Sequence, residues 1–312
     1  MHSIIKTDNK KSLELFLEYV NRGNKELETL KNKPIPLKSP AKSICSKLVI
    51  MCYIAKKNNL PLYDTFLAEL SKDQKNARLL FESADSFGSH SSDKEENAFQ
   101  RTLKIDLFTK ASELGDILAT RKLCLLSLNL PNPQGGETRN VLEAYKWIRR
   151  GAELNDLEAM YALGEYLITG RYQNDFNSIL LDGEVINYPQ EEIAIIPPNP
   201  EEALKWYKKA AEGGQALSMI ALAKIYLGSY PSPSHLNLAK YINPEQGYQL
   251  ALEAANAKNR KGYLLVINCL ENGIGVEKNE ALAKEFEDKL KIFESNQTTL
   301  NRLQPYHPLK DN

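Results

Sequence analysis

The chain has 312 residues, with 40 Lys and Arg against 40 Asp and Glu, and hydrophobic residues make up 42% of it. Its zero net charge disfavours a nucleic-acid-binding protein, because such proteins usually carry a basic excess. The sequence lacks the roughly 20 consecutive apolar residues that span a bilayer. Its start also lacks the apolar run of about 7 to 15 residues found in a secretory signal. We therefore predict a cytoplasmic protein without a membrane span that binds no nucleic acid.

The first hundred residues are predicted to be helical but to follow no clear repeat. Proline- and asparagine-containing turns near residues 34–40 and 58–61 separate the helical patterns. The predicted helices cover residues 13–21, 41–57, 62–70 and 74–87. Residues 1–100 are therefore assigned to an N-terminal helical segment, which is either a set of divergent helical pairs or a separate cap.

Residues 101–292 contain a repeated pattern. The stretches 143–164, 202–223 and 246–267 align without a gap, and 103–124 is a weaker copy. Equivalent positions recur at a period of roughly 40 residues, apart from one longer spacing, and each copy contains two helical patterns. This arrangement is typical of an α-solenoid, in which a helix pair buries its apolar face only against a neighbouring pair.

Small residues mark both the turn inside each copy and the start of its second helix. Those at the second helix let the two helices approach closely: they are Ala119, Ala159, Ser218 and Gly262. Those at the turn tolerate a left-handed backbone: they are Gly115, Asn155, Gly213 and Gly214. The large side chains of Trp147 and Trp206 share one column and are predicted to lie in the core between adjacent repeats.

The repeated pattern can be written A-x-x-W-[IY]-[KR]-[KR]-x-A-E, followed by a small-residue turn and A-x-x-x-L-G. It resembles the Sel1-like repeats, which are relatives of the tetratricopeptide repeats. Residues 271–283, ENGIGVEKNEALA, are similar to the G-x-G-V turn of that family. The resemblance implies an all-α solenoid of antiparallel helix pairs, wound as a right-handed superhelix over residues 101–292 and followed by a tail at 293–312.

Two insertions interrupt the repeats, near residues 173–200 and 229–244. Both follow a second helix, so we expect them to project from one edge of the array, which is a candidate contact surface. Long loops in compact arrays are often functional. For the longer insertion, a disordered or packed-down excursion is an equally open interpretation.

The sequence offers little catalytic or metal-binding chemistry. The scattered histidines lack metal-ligand spacing: they are His2, His90, His235 and His307. The cysteines are predicted to be buried reduced thiols: they are Cys45, Cys52, Cys124 and Cys269. We predict no enzyme activity, no cofactor and no metal site.

The alternative is an enzyme of the β-lactamase or penicillin-binding type on a Sel1-like frame, because some cysteine-rich Sel1-like proteins resemble penicillin-binding proteins in activity. Ser-x-x-Lys strings occur at residues 3–6, 39–42 and 91–94. None is followed by the Ser-Asp-Asn or Lys-Thr-Gly elements that accompany such strings in those enzymes.

Basic residues recur at equivalent first-helix positions, and stacking of the repeats would align them as a ridge. They are Lys110, Arg149, Arg150, Lys208 and Lys209. Such a ridge suits an acidic or phosphorylated partner, while a simply solvated charged face is the other interpretation. Tyr145 and Tyr207 are candidates for additional aromatic contacts with the partner.

We therefore predict a non-enzymatic scaffold or adaptor that binds a protein or peptide partner in the concave groove of the solenoid. A rigid groove binds a peptide without an ordering cost on its own side. The Lys- and Asn-rich composition suits an AT-rich bacterial genome. Since several bacterial intracellular pathogens use Sel1-like repeat proteins against host cells, the resemblance also implies the hypothesis of a bacterial effector delivered to a host cell by a specialised secretion system.

Overall fold

The computed structural model describes residues 5, 8–30, 33, 35, 39–87, 93–128, 141–169, 196–231 and 236–303. These residues form α-helices joined by turns and contain no β-strand, which confirms the predicted all-α class. None of the described helices is both long enough and apolar enough to cross a bilayer.

The helices are numbered in chain order. The N-terminal four are α1 (Asn9–Leu30), α2 (Pro40–Lys57), α3 (Leu62–Ser71) and α4 (Asn76–Ser86). The next four are α5 (Lys94–Glu113), α6 (Ile117–Leu128), α7 (Val141–Glu153) and α8 (Leu157–Thr169). The last five are α9 (Pro200–Glu212), α10 (Ala216–Tyr226), α11 (Pro244–Asn256), α12 (Arg260–Asn272) and α13 (Glu280–Leu303).

The limits of α2, α3 and α4 agree with the predicted ones to within two residues, whereas α1 is much longer than the predicted helix over 13–21. Ser39 caps α2 by accepting a hydrogen bond from the backbone N–H of Lys42, and Pro40 follows at the first helical position, where its missing N–H costs nothing. The rings of Phe16 in α1 and Phe66 in α3 stack with their centroids 4.0 Å apart. Capping and apolar packing together explain why this segment folds without a recognisable repeat pattern.

The chain divides into two compact units, Met1–Leu154 and Asn155–Asn312. Within the first unit, α1 and α2 pack with α4, and then α4 packs on α5, α5 on α6 and α6 on α7. Within the second unit, each helix from α8 to α13 packs on the next one along the chain. Packing between neighbours in the sequence is the defining feature of a solenoid.

The predicted domain limits at residues 100 and 292 remain predictions. α13 continues to Leu303, well into the segment predicted as a tail. Its apolar face holds Phe286 and Leu290 in the core, whereas Lys284, in the tryptophan column of the repeats, is exposed.

The turn between a first and a second helix, which we call the repeat turn, has one geometry. Three backbone N–H groups close the turn, and one of them belongs to a residue in the left-handed conformation. The N–H just before that residue donates to the carbonyl four positions back. The N–H of the left-handed residue donates to the carbonyl three positions back, and the N–H just after it donates to the carbonyl five positions back. These bonds end the first helices α5, α9 and α11, and the same set around Gly228 (φ 72°) ends α10, a second helix. The left-handed residues are Gly115 (φ 100°), Gly214 (φ 91°) and Lys258 (φ 58°), and Asn155 after α7 has φ 65°.

The predicted close approach of paired helices is present in α11 and α12. A Cβ atom on Gly262 would lie 2.5 Å from the backbone nitrogen of Ala255, so no larger residue fits there without moving a helix. Gly164 in α8 is equally constrained from the neighbouring repeat, because its Cβ would lie 2.4 Å from Cε1 of Tyr207 in α9. Small residues therefore set the spacing of this array, as the sequence pattern indicated.

The cysteines are reduced and buried, as predicted. Burial raises the pKa of Cys45 and Cys269 to about 11, and that of Cys52 and Cys124 to about 12. Since the thiolate is the reactive form of cysteine, these side chains act as small core residues.

The two insertions differ in how much of them is described. Residues 170–195, most of the longer insertion, lie outside the described residues. The described part of the shorter one packs onto α8 and α9: the Tyr230 hydroxyl donates to Glu165 at 3.0 Å, and Lys240 and Tyr241 donate to Glu201 at 2.6 and 3.1 Å. The described part of this insertion is therefore packed against the repeats.

Candidate protein-binding groove

An open groove lies between α5 and α7, the first helices of two successive repeats in the first unit. It encloses about 560 Å³. Its walls are Thr109, Ser112, Glu113, Tyr145, Lys146, Trp147, Arg149, Arg150 and Glu153. The groove therefore contains three of the sequence-predicted site residues, Tyr145, Arg149 and Arg150.

Arg149 is held in place by its own helix. Its guanidinium donates a hydrogen bond to the Tyr145 hydroxyl at 2.9 Å and lies 5.5 Å from the centre of the Tyr145 ring. The two residues are four positions apart and so share one face of α7. This pairing presents a planar, fixed cation at the groove wall, which is the geometry that carboxylate and phosphate groups bind best.

Arg150 has a different role from its neighbour. Its guanidinium donates to the backbone carbonyls of Ser112 at 3.3 Å and Glu113 at 3.4 Å, which are at the C-terminal end of α5. It also lies 3.8 Å from the carboxylate of Glu153. A cation at the end of a helix stabilises its last carbonyls and its dipole, so Arg150 joins α7 to α5.

Lys110 stands beside the groove rather than in its wall. Its ammonium contacts the carboxylate of Glu113 at 2.7 Å, one turn along α5. This ion pair neutralises one of the two acidic side chains of the groove, and Arg150 neutralises the other, Glu153. The cations of the groove therefore outnumber its anions.

Trp147 is a wall residue that the sequence interpretation assigned to the core. It is 8% exposed, so most of the ring is buried as predicted, yet it also lines the groove. The ammonium of Lys146 lies 4.8 Å from its ring centre. The repeated column of large side chains predicts burial, but it does not show that one edge of the Trp147 ring faces the groove.

The remaining predicted site residues are on α9, in the second unit. Lys208 and Lys209 are exposed, and the ammonium of Lys209 lies 5.5 Å from the ring centre of Trp206. Trp206 is half-buried and donates its indole N–H to Glu202 at 3.3 Å. Alignment of these lysines with the basic residues of α5 and α7 as one ridge remains a prediction.

Tyr207 does not lie on a surface. It is fully buried beneath Gly164, and its hydroxyl donates to the carboxylate of Glu165 at 2.6 Å. Burial, followed by the charge of Glu165, raises the pKa of Tyr207 well above its usual value. Its position is that of a core residue joining α8 and α9, so it is not among the groove residues considered below.

The family model of the Sel1 repeat matches residues 132–156, 157–175, 192–215 and 268–286. The chain contains Sel1 repeats. The matched segments include α7, α8 and α9 and the connection from α12 into α13. The groove wall formed by α7 therefore belongs to a Sel1 repeat, while α5, α6, α10, α11 and most of α12 lie outside the matches. Like the matched α9, α5 and α11 each end in the repeat turn and are followed at once by a second helix, α6 and α12.

Solved structures of Sel1-repeat proteins are similar to this chain. A protective antigen of uropathogenic Escherichia coli that displays an SLR fold has 20% identity and a TM-score of 0.42, over 80% of this chain and 48% of that one. The chain thus spans about half the length of that antigen. A Sel1 repeat protein from Oxalobacter formigenes has 18% identity and a TM-score of 0.43, over 90% of this chain and 96% of that one. A search of curated proteins finds no match.

The Ser-x-x-Lys strings give the Sel1-repeat chain no lactam-directed site within its described residues. Ser39 uses its hydroxyl as the cap of α2. The string at 3–6, Ser91 and all four histidines lie outside the described residues. Sel1-repeat proteins generally mediate protein–protein interaction, and the described residues offer no support for the enzyme alternative.

Proposed function

We propose that this protein is a non-enzymatic scaffold that binds an acidic segment of a partner protein in the groove between α5 and α7. The supporting observation is the open volume of about 560 Å³, bordered by Arg149 on one wall. Grooves of this size, with apolar walls and a few fixed polar groups, are the usual binding sites of proteins.

The charges of the groove favour an acidic occupant. The walls of the groove carry three cationic side chains, Lys146, Arg149 and Arg150, against two carboxylates, those of Glu113 and Glu153. A carboxylate of the partner would accept paired hydrogen bonds from a guanidinium in this position. The hydrogen bond to Tyr145 orders the Arg149 side chain before the partner binds. Little side-chain entropy is therefore lost on binding.

The aromatic side chains favour an apolar residue near that carboxylate. Tyr145 and Trp147 both line the groove, and tyrosine, tryptophan and arginine are the residue types that most often dominate binding energy at protein interfaces. The expected ligand is therefore an extended segment that combines Asp or Glu with a neighbouring apolar side chain.

A displayed library of random linear peptides, selected on the full chain, tests this proposal. We expect the selected peptides to be enriched in Asp and Glu and to bind Arg149→Glu roughly tenfold more weakly than the wild type. The matched control is Lys208→Glu, which makes the same change of charge at the equivalent position of α9 and should alter affinity by less than about twofold.

Two results would contradict the proposal. One is a selected set without acidic enrichment. The other is equal binding of acidic peptides by Arg149→Glu and the wild type, after circular dichroism has shown that both are folded. Weakening by Lys208→Glu as strong as that by Arg149→Glu would instead support a ridge that continues over both units.

The hypothesis of a host-directed effector is separate, because it concerns where the partner resides. It rests on the Lys- and Asn-rich composition and on the family resemblance. A translocation reporter fused to the chain tests it in an infection assay, and failure to enter host cells would exclude it.

A further inference from the structure

An exposed leucine lies next to the groove, near the N-terminal end of α7. Leu142 is 55% exposed. It is three residues before Tyr145 and seven before Arg149, and residues at these spacings share one face of an α-helix. Leu142 therefore lies on the same face of α7 as these two groove residues, about one helical turn beyond Tyr145.

The other repeats have polar residues at this position. Counted back from the left-handed residue of each repeat turn, Leu142 corresponds to Thr102 in α5, Glu201 in α9 and Glu245 in α11, which are all exposed. In α7, α9 and α11 the position is the second residue of the helix. An acidic side chain there is stabilised by the helix dipole, whereas leucine gains no such stabilisation.

The departure from the repeat pattern distinguishes Leu142 from ordinary exposed apolar residues. A single exposed leucine is common on protein surfaces and needs no explanation in itself. Leu142, however, replaces the residue type that the start of a helix favours, and more than half of its surface faces solvent. Departures from a local rule without a gain in stability are expected at functional sites.

The equivalent position in α9 shows that a chain segment fits against this part of a first helix. Glu201 accepts hydrogen bonds from Lys240 at 2.6 Å and from the hydroxyl of Tyr241 at 3.1 Å, and both donors belong to the shorter insertion. In α9 the segment is thus part of the protein and is bound by a carboxylate. In α7 the same position offers an apolar contact instead.

The direction of the Arg149 side chain sets the distance between the two contacts. Its guanidinium donates to the Tyr145 hydroxyl at 2.9 Å, so the side chain extends towards the N-terminal end of α7 and towards Leu142. In an extended peptide, side chains two positions apart lie on one face and are separated by roughly 6.6 Å. A ligand carboxylate bound to Arg149 therefore brings the side chain two positions away close to Leu142.

We infer that Leu142 selects an apolar residue of the ligand, two positions from the acidic residue that binds Arg149. The ligand is then an extended acidic segment of a partner protein in which Asp or Glu and an apolar residue are separated by one residue. The excess of cationic over acidic side chains in the groove walls favours the acidic residue. This inference rests on the function proposed above and specifies the ligand further.

Titration of two peptides against the full chain tests the inference. The first peptide is taken from the library selection and has Asp and an apolar residue two positions apart, and the second has Ser in place of the apolar residue. Leu142→Thr introduces the residue that α5 has at this position. It should bind the first peptide about fivefold more weakly than the wild type does, because an apolar contact is lost, and should bind the second peptide equally well.

Two further variants separate this contact from the rest of the groove. Arg149→Glu should bind both peptides roughly tenfold more weakly, since it removes the contact with the acidic residue. Leu264→Thr makes the matched change at a 41% exposed leucine of α12, in the second unit, and should alter neither affinity by more than about twofold.

Three results would overturn the inference. The first is a selected set without an apolar preference two positions from the acidic residue. The second is equal binding of the first peptide by Leu142→Thr and the wild type; a loss of binding in Arg149→Glu would then leave the proposed function intact. The third is a clearly lower urea midpoint for Leu142→Thr, which would show that the chain itself covers this leucine. If Arg149→Glu binds both peptides as the wild type does, the proposed function fails and the inference fails with it.

Discussion

The first unit contains two junctions at α5, and they are built differently. At the closed junction, between α2 and α5, Tyr53 packs against Phe87 and Phe99 and hydrogen-bonds Glu96. At the open junction, between α5 and α7, Tyr145 instead holds Arg149 beside an open groove. The comparison shows that α5 contributes to a packed contact on one side and to an open groove on the other.

The N-terminal part of α5 supplies part of the cover of the closed junction. α5 has 20 residues, and its first two turns carry Glu96 and Phe99, which contact Tyr53.

The largest expected effects come from replacing one tyrosine at each junction, because one change should reduce stability and the other should reduce peptide binding. Tyr53→Ala removes ring contacts and a hydrogen bond, so it should lower the free energy of unfolding by about 2 kcal/mol and leave peptide affinity nearly unchanged. Tyr145→Ala should lower stability by only about 0.5 kcal/mol but weaken peptide binding roughly tenfold. Urea denaturation and peptide titration of both variants measure these effects. A loss of binding in Tyr53→Ala without loss of stability would show that the closed junction is part of the binding surface.

The second prediction distinguishes the two adjacent arginines of the open junction. Arg150→Met removes the hydrogen bonds to the end of α5 and should cost about 1 kcal/mol of stability, because hydrogen bonds from charged groups exceed those between neutral ones. Arg149→Met should cost less than about 0.5 kcal/mol but reduce binding of acidic peptides. Urea denaturation compares the two, and equal losses of stability would contradict the separate roles assigned to them.

The third prediction concerns the polar attachment of α3 to α5. Tyr63→Phe keeps the buried ring and removes only the hydroxyl that donates to Asp106, so it should lower the free energy of unfolding by about 1 kcal/mol. Tyr241→Phe, which removes the hydrogen bond to the exposed Glu201 in the second unit, is the matched control and should cost less than about 0.5 kcal/mol. Denaturant midpoints measure both, and an unchanged midpoint for Tyr63→Phe would show that apolar contacts alone hold α3.

The smallest expected effect is a pH dependence of the closed junction. The hydrogen bonds from Lys57, Gln100 and Tyr53 lower the pKa of Glu96 to about 2 from its ordinary 4.5. Because the pKa is lower in the folded state, the stabilisation is complete above pH 4.5 and is lost as pH falls towards 2. Glu96→Gln should therefore reduce the decline of the denaturant midpoint over this range. Glu95→Gln, which removes one charge from the same helical turn, is the control, and an identical decline in both variants would contradict the assignment.

The sequence predicts most of the helices for reasons that are local. Ser39 and Pro40 begin α2, and the apolar periodicity of residues 41–57 defines its length. The repeat turn after α11 was harder to predict, because Lys258 is not a residue that favours a left-handed backbone. The continuation of α13 to Leu303 was missed for a related reason, since the polar run near its end lacks a clear apolar period.

The candidate site was predictable only in part. Arg149 and Arg150 occupy adjacent columns of the same repeat, and no pattern in the sequence shows that one caps α5 while the other faces the groove. Tyr207 was selected for its neighbourhood to the lysines of α9, but Gly164 opposite it creates the space that buries its ring. Both distinctions depend on contacts between repeats, which neither repeat encodes alone.

The buried cysteines have a practical consequence for studying the protein. The pKa of each native thiol is raised to about 11 or 12, so almost no thiolate exists at neutral pH. Each of these thiols is also buried, out of reach of maleimide or iodoacetamide reagents. A single cysteine introduced on the surface, for example Lys208→Cys, would then be the only rapidly reacting site. Dyes or spin labels could be attached to the native background without first removing any of its own cysteines.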